Sequence, residues 1–529
     1  MKNKLLLTSL CLSVASLLFA QKKEMETITE SDLKAHLEFI ASDYMQGRDF
    51  STPVPGVDLA ADYLKAQCKL MGLKPGVEDY FQYVELEMTK PDLGNTFLEI
   101  QNNKGEVLET ISDDFFSLLG PLNGDTIESE VVFAGYGWYN DKTKYNDTEG
   151  IDVKGKIVLA MSRNLELCRD SATKSMDFGT EMRKMNKMLL GGAKALILVP
   201  DPLNPDPTGF DEVKQYANGG SMVIKGSKKR RQSLPLNLIF GTGELADQLL
   251  KSSGKTLAQL QSEINESGSP KSFELEGIRA KIQLPKNQSE MLGKNVIAVV
   301  EGSDPVLKNE CVVFTAHYDH VGVDANGEVF NGADDNGTGT VALLEIAQAF
   351  QSMKKKPKRS IVFAWVTAEE KGLFGSDYYT QYPVYPLEKT LIDINLDMVG
   401  RSAEAEPLPG ASTEKQLAGP NGLYVITGKQ SSEFWELSKE ISQELNLVLN
   451  DKLSNTFLNS SDYFHFYKNN IPILGLSTGM HDDYHKVSDE IDKIDYTKMR
   501  RIAQYAFLVA NRVANQKTRI VVDNPVNKN

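Results

Sequence analysis

The stretch "SIVFAWVTAEEKG", residues 360–372, is an uncharged run rich in β-branched and aromatic residues that stops at two adjacent glutamates, Glu369 and Glu370. A short apolar run without polar alternation fits a strand buried on both faces, as in sheets covered by helices. The surrounding chain repeats the pattern. "NVIAVVEG" (295–302), "ECVVFTAH" (310–317), "LIDINLDMVG" (391–400), "GLYVITG" (422–428) and "IPILGLST" (471–478) read as strands, and helical spacing runs over 337–353, 432–446 and 497–513. Strands alternating with helices predict an α/β fold with a central mixed, mostly parallel sheet flanked by helices. In such sheets the polar groups at the carboxyl ends of the strands form the site.

The strand ends carry one chemistry. "CVVFTA" leads into His317 and Asp319, the next loop "NGADDNGTG" supplies Asp334 and Asp335, and "IVFAWVTA" ends at Glu369 and Glu370. "IDINL" ends at Asp397, and "DDYHKVSD" after "IPILGLSTG" brings His485. A single carboxylate at a strand end is ordinarily a helix cap or a solvated loop group. Five successive elements with His, Asp or Glu at one edge are not explained that way. Two imidazoles and several carboxylates without cysteine form a donor set that suits zinc, with manganese or cobalt as substitutes. There are more carboxylates than one ion needs, which points to two. Ions about 3.5–4 Å apart require a bridging carboxylate, with an imidazole and a carboxylate for each. The set allows Asp335 to bridge, His317 and Asp397 to serve one ion, and Glu370 and His485 the other. Glu369 is then left free to accept the proton of an activated water.

Composition limits the alternatives. The chain has 529 residues, a net charge of -14 and 41% hydrophobic residues, an acidic globular composition long enough for two or more domains. It offers no basic face to nucleic acid. The basic run "MKKKPKRS" (353–360) reads as a solvated connection. Residues 1–20, "MKNKLLLTSLCLSVASLLFA", have Lys2 and Lys4 before an apolar stretch and end in Ala20, the pattern of a signal peptide cut there. The expectation is a periplasmic or extracellular protein without stable membrane insertion. Cys68, Cys168 and Cys311 then remain, an odd number that specifies no disulfide framework.

Before the strand-and-helix region, residues 30–49 and 55–73 show helical spacing, the first with Ser31 as its expected cap. His36 in that pattern reads as half-buried and structural. From 120 to 280 short strands separated by turns, among them 129–140, 153–161, 192–200 and 234–241, suggest a β-rich module inserted into one domain. The expected division is a signal peptide at 1–20, the N-terminal part of the main domain at 21–119, the insertion at 120–280, the main domain resumed at 281–515, and a polar tail at 516–529.

The strings "TAHYDHVG", "NGADDNGTG", "TAEEKGLFGSDYY", "NLDMVG" and "SDYFHF", with "DDYHKVSD", resemble the motifs of the dizinc exopeptidases of metallopeptidase family 28. The similarity is to the secreted aminopeptidase branch with a protease-associated domain, and "LEFIASDYMQGRD" (37–49) resembles that group's N-terminal segment. The resemblance implies two zinc ions ligated by His317, Asp335, Glu370, Asp397 and His485, Glu369 as general base, and peptides as substrates. It implies that Asp319 orients the His317 imidazole, that Tyr484 helps hold the carbonyl oxygen in the transition state, and that the Asp335–Asn336 peptide is cis. Asp334 is then a loop residue. His320 and His481 are secondary candidates for touching substrate, His465 reads as packing, and Asp462 as a buttress of a ligand. An aminopeptidase is the leading expectation. A carboxypeptidase, dipeptidase or glutaminyl cyclase shares the ligands, and a non-catalytic receptor-like member is the competing class.

Overall fold

The computed structural model describes residues 23–526 apart from 51, 53–54, 120–125, 167–177, 204–209, 211–213, 215–216, 228–236, 325 and 406–416. The expected signal peptide and Cys168 lie outside the described residues. The chain divides into two compact units, Met1–Glu85 with Met291–Asn529, and Leu86–Glu290.

In the first unit the strands Ser360–Val366, Cys311–His317, Thr390–Leu396 and Ile473–Ser477 lie side by side in that order, each parallel to the next. Antiparallel neighbours flank this centre. Val296–Val300 pairs with Ser360–Val366 on one side and Gly422–Ile426 with Ile473–Ser477 on the other. The sheet is therefore mixed, with its parallel pairs in the middle.

Alternate side chains of each central strand enter two separate cores. Val312, Phe314, Ala316, Phe363 and Trp365 pack with residues of the helices Gly339–Ser352 and Tyr496–Asn515. Cys311, Val313, Val362, Ala364 and Val366 pack on the opposite face with Tyr379 and Phe466, from the helices Phe374–Gln381 and Tyr463–Lys468. Both faces are dry, which is why these strands read as continuous apolar runs. Trp365 Nε1–H donates to the Thr340 carbonyl at 2.9 Å, satisfying a buried donor where strand meets helix. The basic run is only partly solvated: Lys354 and Lys355 are exposed, but Arg359 is buried and its Nε lies 2.7 Å from Glu310 Oε2.

The N-terminal helix Glu30–Ile40 starts two residues earlier than a Ser31 cap would allow. Thr29 is its cap and accepts from the Asp32 amide at 3.1 Å, leaving Ser31 inside the helix. His36 is half-buried and its Nδ1 lies 2.6 Å from the Tyr63 hydroxyl, a structural contact. The helix is followed by a left-handed turn at Gln46, Gly47 and Arg48. Gly47 is required there, because a Cβ would stand 2.1 Å from the Gly322 carbonyl oxygen. The turn delivers the Arg48 guanidinium into the interior, where it donates to the carbonyls of Tyr318 (2.8 Å), Ile40 (2.9 Å), Asn331 (2.6 Å) and Gly332 (2.8 Å). Arg48→Met strands several buried acceptors at once. It is expected to cost about 3–5 kcal/mol of stability, read as a lowered urea midpoint; an unchanged midpoint would show that those carbonyls find other partners.

The second unit has an eight-stranded sheet that begins with Val107–Ser112, Phe97–Asn102, Phe273–Gln283 and Thr126–Phe133, then continues through Ile157–Met161, Ala195–Val199, Asn237–Gly241 and Phe116–Leu119. It is wider than the 120–280 segment expected. Phe97–Asn102 and Val107–Ser112 pair into this sheet through Phe273–Gln283, which moves the boundaries to Leu86 and Glu290. Its core holds a buried two-pronged ion pair, Arg163 Nε and Nη2 to Asp201 at 2.7 and 2.8 Å. No helix among the described residues is long and apolar enough to cross a membrane.

Candidate active site

His317 is the last residue of its strand, and Glu369 and Glu370 follow the neighbouring strand by three and four positions. Asp397 follows the strand on the other side directly. Because these three strands are parallel neighbours, their carboxyl ends present the four groups together. Two of the exits need a left-handed residue, Ala368 (φ 56°) before Glu369 and Met398 (φ 56°) after Asp397, and His485 itself has φ 54°. Each such non-glycine conformation costs about 1 kcal/mol or more, and packing around the site holds it.

Asp335 enters from the loop ahead of the helix Gly339–Ser352. The Asp335–Asn336 peptide is cis. Asp489 Oδ2 accepts the amides of Asp334 (3.0 Å) and Asp335 (3.1 Å), while the Asn336 side chain donates to the Leu396 carbonyl and accepts from the Gly339 and Met398 amides. Asp334 faces away from the centre, with Oδ1 accepting from the Gly400 amide at 2.7 Å and Oδ2 lying 3.2 Å from His481 Nε2.

Two groups of donor atoms result. His317 Nε2 lies 3.4 Å from Asp335 Oδ1 and 3.4 Å from Asp397 Oδ1. His485 Nε2 lies 2.9 Å from Asp335 Oδ2 and 3.1 Å from Glu370 Oε1. Atoms ~2.0–2.2 Å from a tetrahedral zinc stand roughly 3.3–3.5 Å apart, which is the spacing of the His317 group; the His485 group is closer, with His485 Nε2 hydrogen-bonded to Glu370 Oε1. Asp335 Oδ2 is buried and, despite its nearness to His485, has no aligned hydrogen bond. A short approach without that alignment is what two ligands of one cation make. The residues fit divalent metal: His317 and Asp397 would serve on one side and Glu370 and His485 on the other, with Asp335 reaching both groups. His317, Glu369 and Glu370 also offer atoms within 4.8 Å of one another, which puts Glu369 beside this centre.

Asp319 acts differently from the orienting role that the resemblance implies. His317 Nδ1–H donates to the Asp319 backbone carbonyl at 3.1 Å, which turns Nε2 toward the centre. The Asp319 carboxylate lies 3.9 Å from that nitrogen and instead accepts the amides of Glu369 (3.1 Å) and Glu370 (3.2 Å). One carboxylate thus fixes the backbone of both glutamates. The chain between them carries one side chain toward His317 and the other toward His485.

Their environments separate them further. Burial, with the Glu370, Asp462 and Asp397 carboxylates close by, outweighs His317 and pushes the Glu369 carboxyl well above the usual range. Burial also acts to raise Glu370, but the charge of His485 and hydrogen bonds from His320 and His485 overcome it and hold Glu370 down at about 2. Neighbouring carboxyls pushed apart in this way take different protonic roles.

His317, Asp335, Glu370 and Asp397, four of the five ligand candidates, line with Glu369 a cavity of about 200 Å³ that is also lined by Met398, Tyr424, Ile426, Leu453, Phe457 and Met480. Tyr484 also lines it, its ring stacked on His485 at 3.8 Å. His320 and His481 are buried and are not among the residues that line it. His465 lies 3.1 Å from Asp377 and packs. Asp462 is fully buried, and burial raises its carboxyl to about 7. Arg48, Asn336 and Asp489, which hold the loops in place, were not singled out from the sequence. Lone polar residues beside a motif carry no signal there beyond their position.

A donor set of this kind at the carboxyl edge of an α/β sheet could hold divalent metal ions. Residues 295–510 match the model of Peptidase family M28. Leucine aminopeptidase 2 of Trichophyton equinum is 33% identical over 187 residues, 35% of this chain and 33% of that one. Aminopeptidase YwaD of Bacillus subtilis is 30% identical over 218 residues, 39% of this chain and 42% of that one. The matches span about a third to two fifths of the length of these relatives. An aminopeptidase from Aneurinibacillus sp. strain AM-1 has a similar fold, with a TM-score of 0.55 at 18% identity over 96% of this chain and 98% of that one. A zinc aminopeptidase from Bacillus subtilis gives 0.53 at 18% identity, covering 94% and 98%.

Proposed function

We propose that the chain is a zinc-dependent aminopeptidase that removes N-terminal residues from peptides, with Glu369 as general base. The observation that carries this is the meeting of His317, Asp335, Glu370, Asp397 and His485 at one sheet edge, with Glu369 beside them on the wall of a small cavity. Two zinc ions, one at His317 and Asp397 and one at Glu370 and His485 with Asp335 shared, would lower the pKa of a bound water toward ~7 and polarise the scissile carbonyl. Glu369 takes the proton from the attacking water and returns it to the leaving amine. Its raised carboxyl suits a group that must both accept and release that proton near neutral pH. Burial and the surrounding carboxylates keep the Tyr484 phenol protonated, so it is a donor for the carbonyl oxygen as charge develops. The wall of Met398, Ile426, Leu453 and Phe457 receives an apolar side chain.

Support for the zinc and the aminopeptidase reading comes from the family match and from the names of the similar proteins. All six positions of the ligand and base set are filled, which favours an enzyme over a receptor-like member. The same reading takes Leu86–Glu290, one continuous segment that interrupts the first unit in sequence, as the protease-associated insertion. It takes residues 1–20 as the signal that exports the chain.

A panel of amino-acyl chromogenic substrates beside N-blocked peptides tests the proposal. Hydrolysis is expected only with a free amino terminus, and fastest with large apolar first residues. Cleavage from the carboxyl end would move the assignment to a carboxypeptidase; hydrolysis of dipeptides alone, cyclisation of N-terminal glutamine, or no turnover would move it to the other members of the fold.

A further inference from the structure

The sequence places a second imidazole three residues after His317, in "HYDH" (317–320), and that side chain is fully buried. His320 Nδ1 lies 3.1 Å from Glu370 Oε1 and 3.8 Å from Asp335 Oδ2, and its ring stands edge-on to His485 with centroids 5.5 Å apart. His320, Asp335, Glu370 and His485 offer four ligand atoms that all lie within 4.8 Å of one another. The ring is held in this direction. Its backbone amide donates to the Arg48 carbonyl at 3.2 Å, and it fills the space over Gly332, where a Cβ would come within 2.4 Å of the ring.

We propose that His320 is an additional metal ligand, through Nδ1, to the ion held by Glu370 and His485. The inference rests on the two-ion reading above. A hydrogen bond from Nδ1 to Glu370 is the competing account, but it explains less. Nε2 is buried without a hydrogen-bond partner in either account, so the choice rests on the convergence of the four donor atoms of His320, Asp335, Glu370 and His485 on one point. Glu370 Oε1 would also have to accept from two imidazoles at once, whereas two lone pairs and two carboxylate oxygens around a cation satisfy all four groups.

The consequence is an asymmetric centre. The Glu370 side has four protein donors, His320, His485, Glu370 and Asp335, the number that closes a tetrahedral zinc site. The His317 side has three, His317, Asp397 and Asp335, the number that leaves a position open. The first ion is held tightly as a fixed part of the site, and the second exchanges more readily and faces the substrate.

Zinc content measured after dialysis of the intact protein against graded chelator tests this. The wild type is expected to lose zinc in two steps, and His320→Ser and His320→Asn to lose the tighter ion at least ~10-fold more easily while keeping the wild-type circular dichroism. A tight step unchanged in both variants overturns the proposal. A wild type that never holds two ions overturns the two-ion reading itself, which is a distinguishable failure. Should the variants fail to fold, a crystal structure of the zinc-loaded wild type decides: Nδ1 of His320 about 2.0–2.1 Å from zinc is expected, and Nδ1 bonded only to Glu370 contradicts it.

Discussion

Turnover by Glu369→Gln is expected to fall by ~10² to 10⁴ while substrate binding changes little, because the amide keeps size and polarity but cannot accept a proton. The structure gives the reason for so selective a loss. Asp319 receives the amides of both glutamates, so the backbone that aims Glu369 is the one that aims Glu370, and a change confined to one side-chain atom leaves that backbone in place. Measured kcat and KM separate the outcomes. A variant that keeps wild-type kcat contradicts the role of Glu369, and one that raises KM with kcat unchanged makes it a binding residue instead.

Exhaustive removal of metal is expected to abolish activity, on the order of 10³-fold or more, and to lower thermal stability as well. Asp335, Glu369, Glu370 and Asp397 crowd one buried edge, and cations supply the charge that their proximity requires. An ion present at a hundred times its dissociation constant adds about 2.7 kcal/mol to the folded state. Activity and melting temperature should both return on titration with zinc. Full activity in metal-free protein contradicts the mechanism, and unchanged melting on metal removal contradicts the placement of the ions in the folded core.

The strands were legible because both faces of the central sheet are dry: Val312 and Val313, or Phe363 and Ala364, go to opposite cores, so no polar alternation blurs the run. The metal candidates were legible for a related reason. A titratable residue at or just past the end of a largely apolar strand has no packing role to explain it, and His317, Glu369, Glu370 and Asp397 all stand there. What was not legible depends on contacts far apart in sequence. Phe97–Asn102 and Val107–Ser112 are short strands, and only the pairing of the first with Phe273–Gln283 and of the second with the first assigns them to the second unit. The amide-holding role of Asp319 arises from a backbone turn at Ala368, which residue type alone does not announce. His320 differs from a substrate-contacting histidine only in the direction that Gly332 and the Arg48 carbonyl impose on its ring.

The central claim is that two adjacent glutamates divide the work, one holding metal and one moving a proton. Zinc content per chain in Glu369→Gln and Glu370→Gln, measured side by side with their rates, tests it most directly. The account predicts that both lose activity, that Glu369→Gln keeps two ions, and that Glu370→Gln gives one up more readily. Equal zinc loss in both, or loss only in Glu369→Gln, would contradict it.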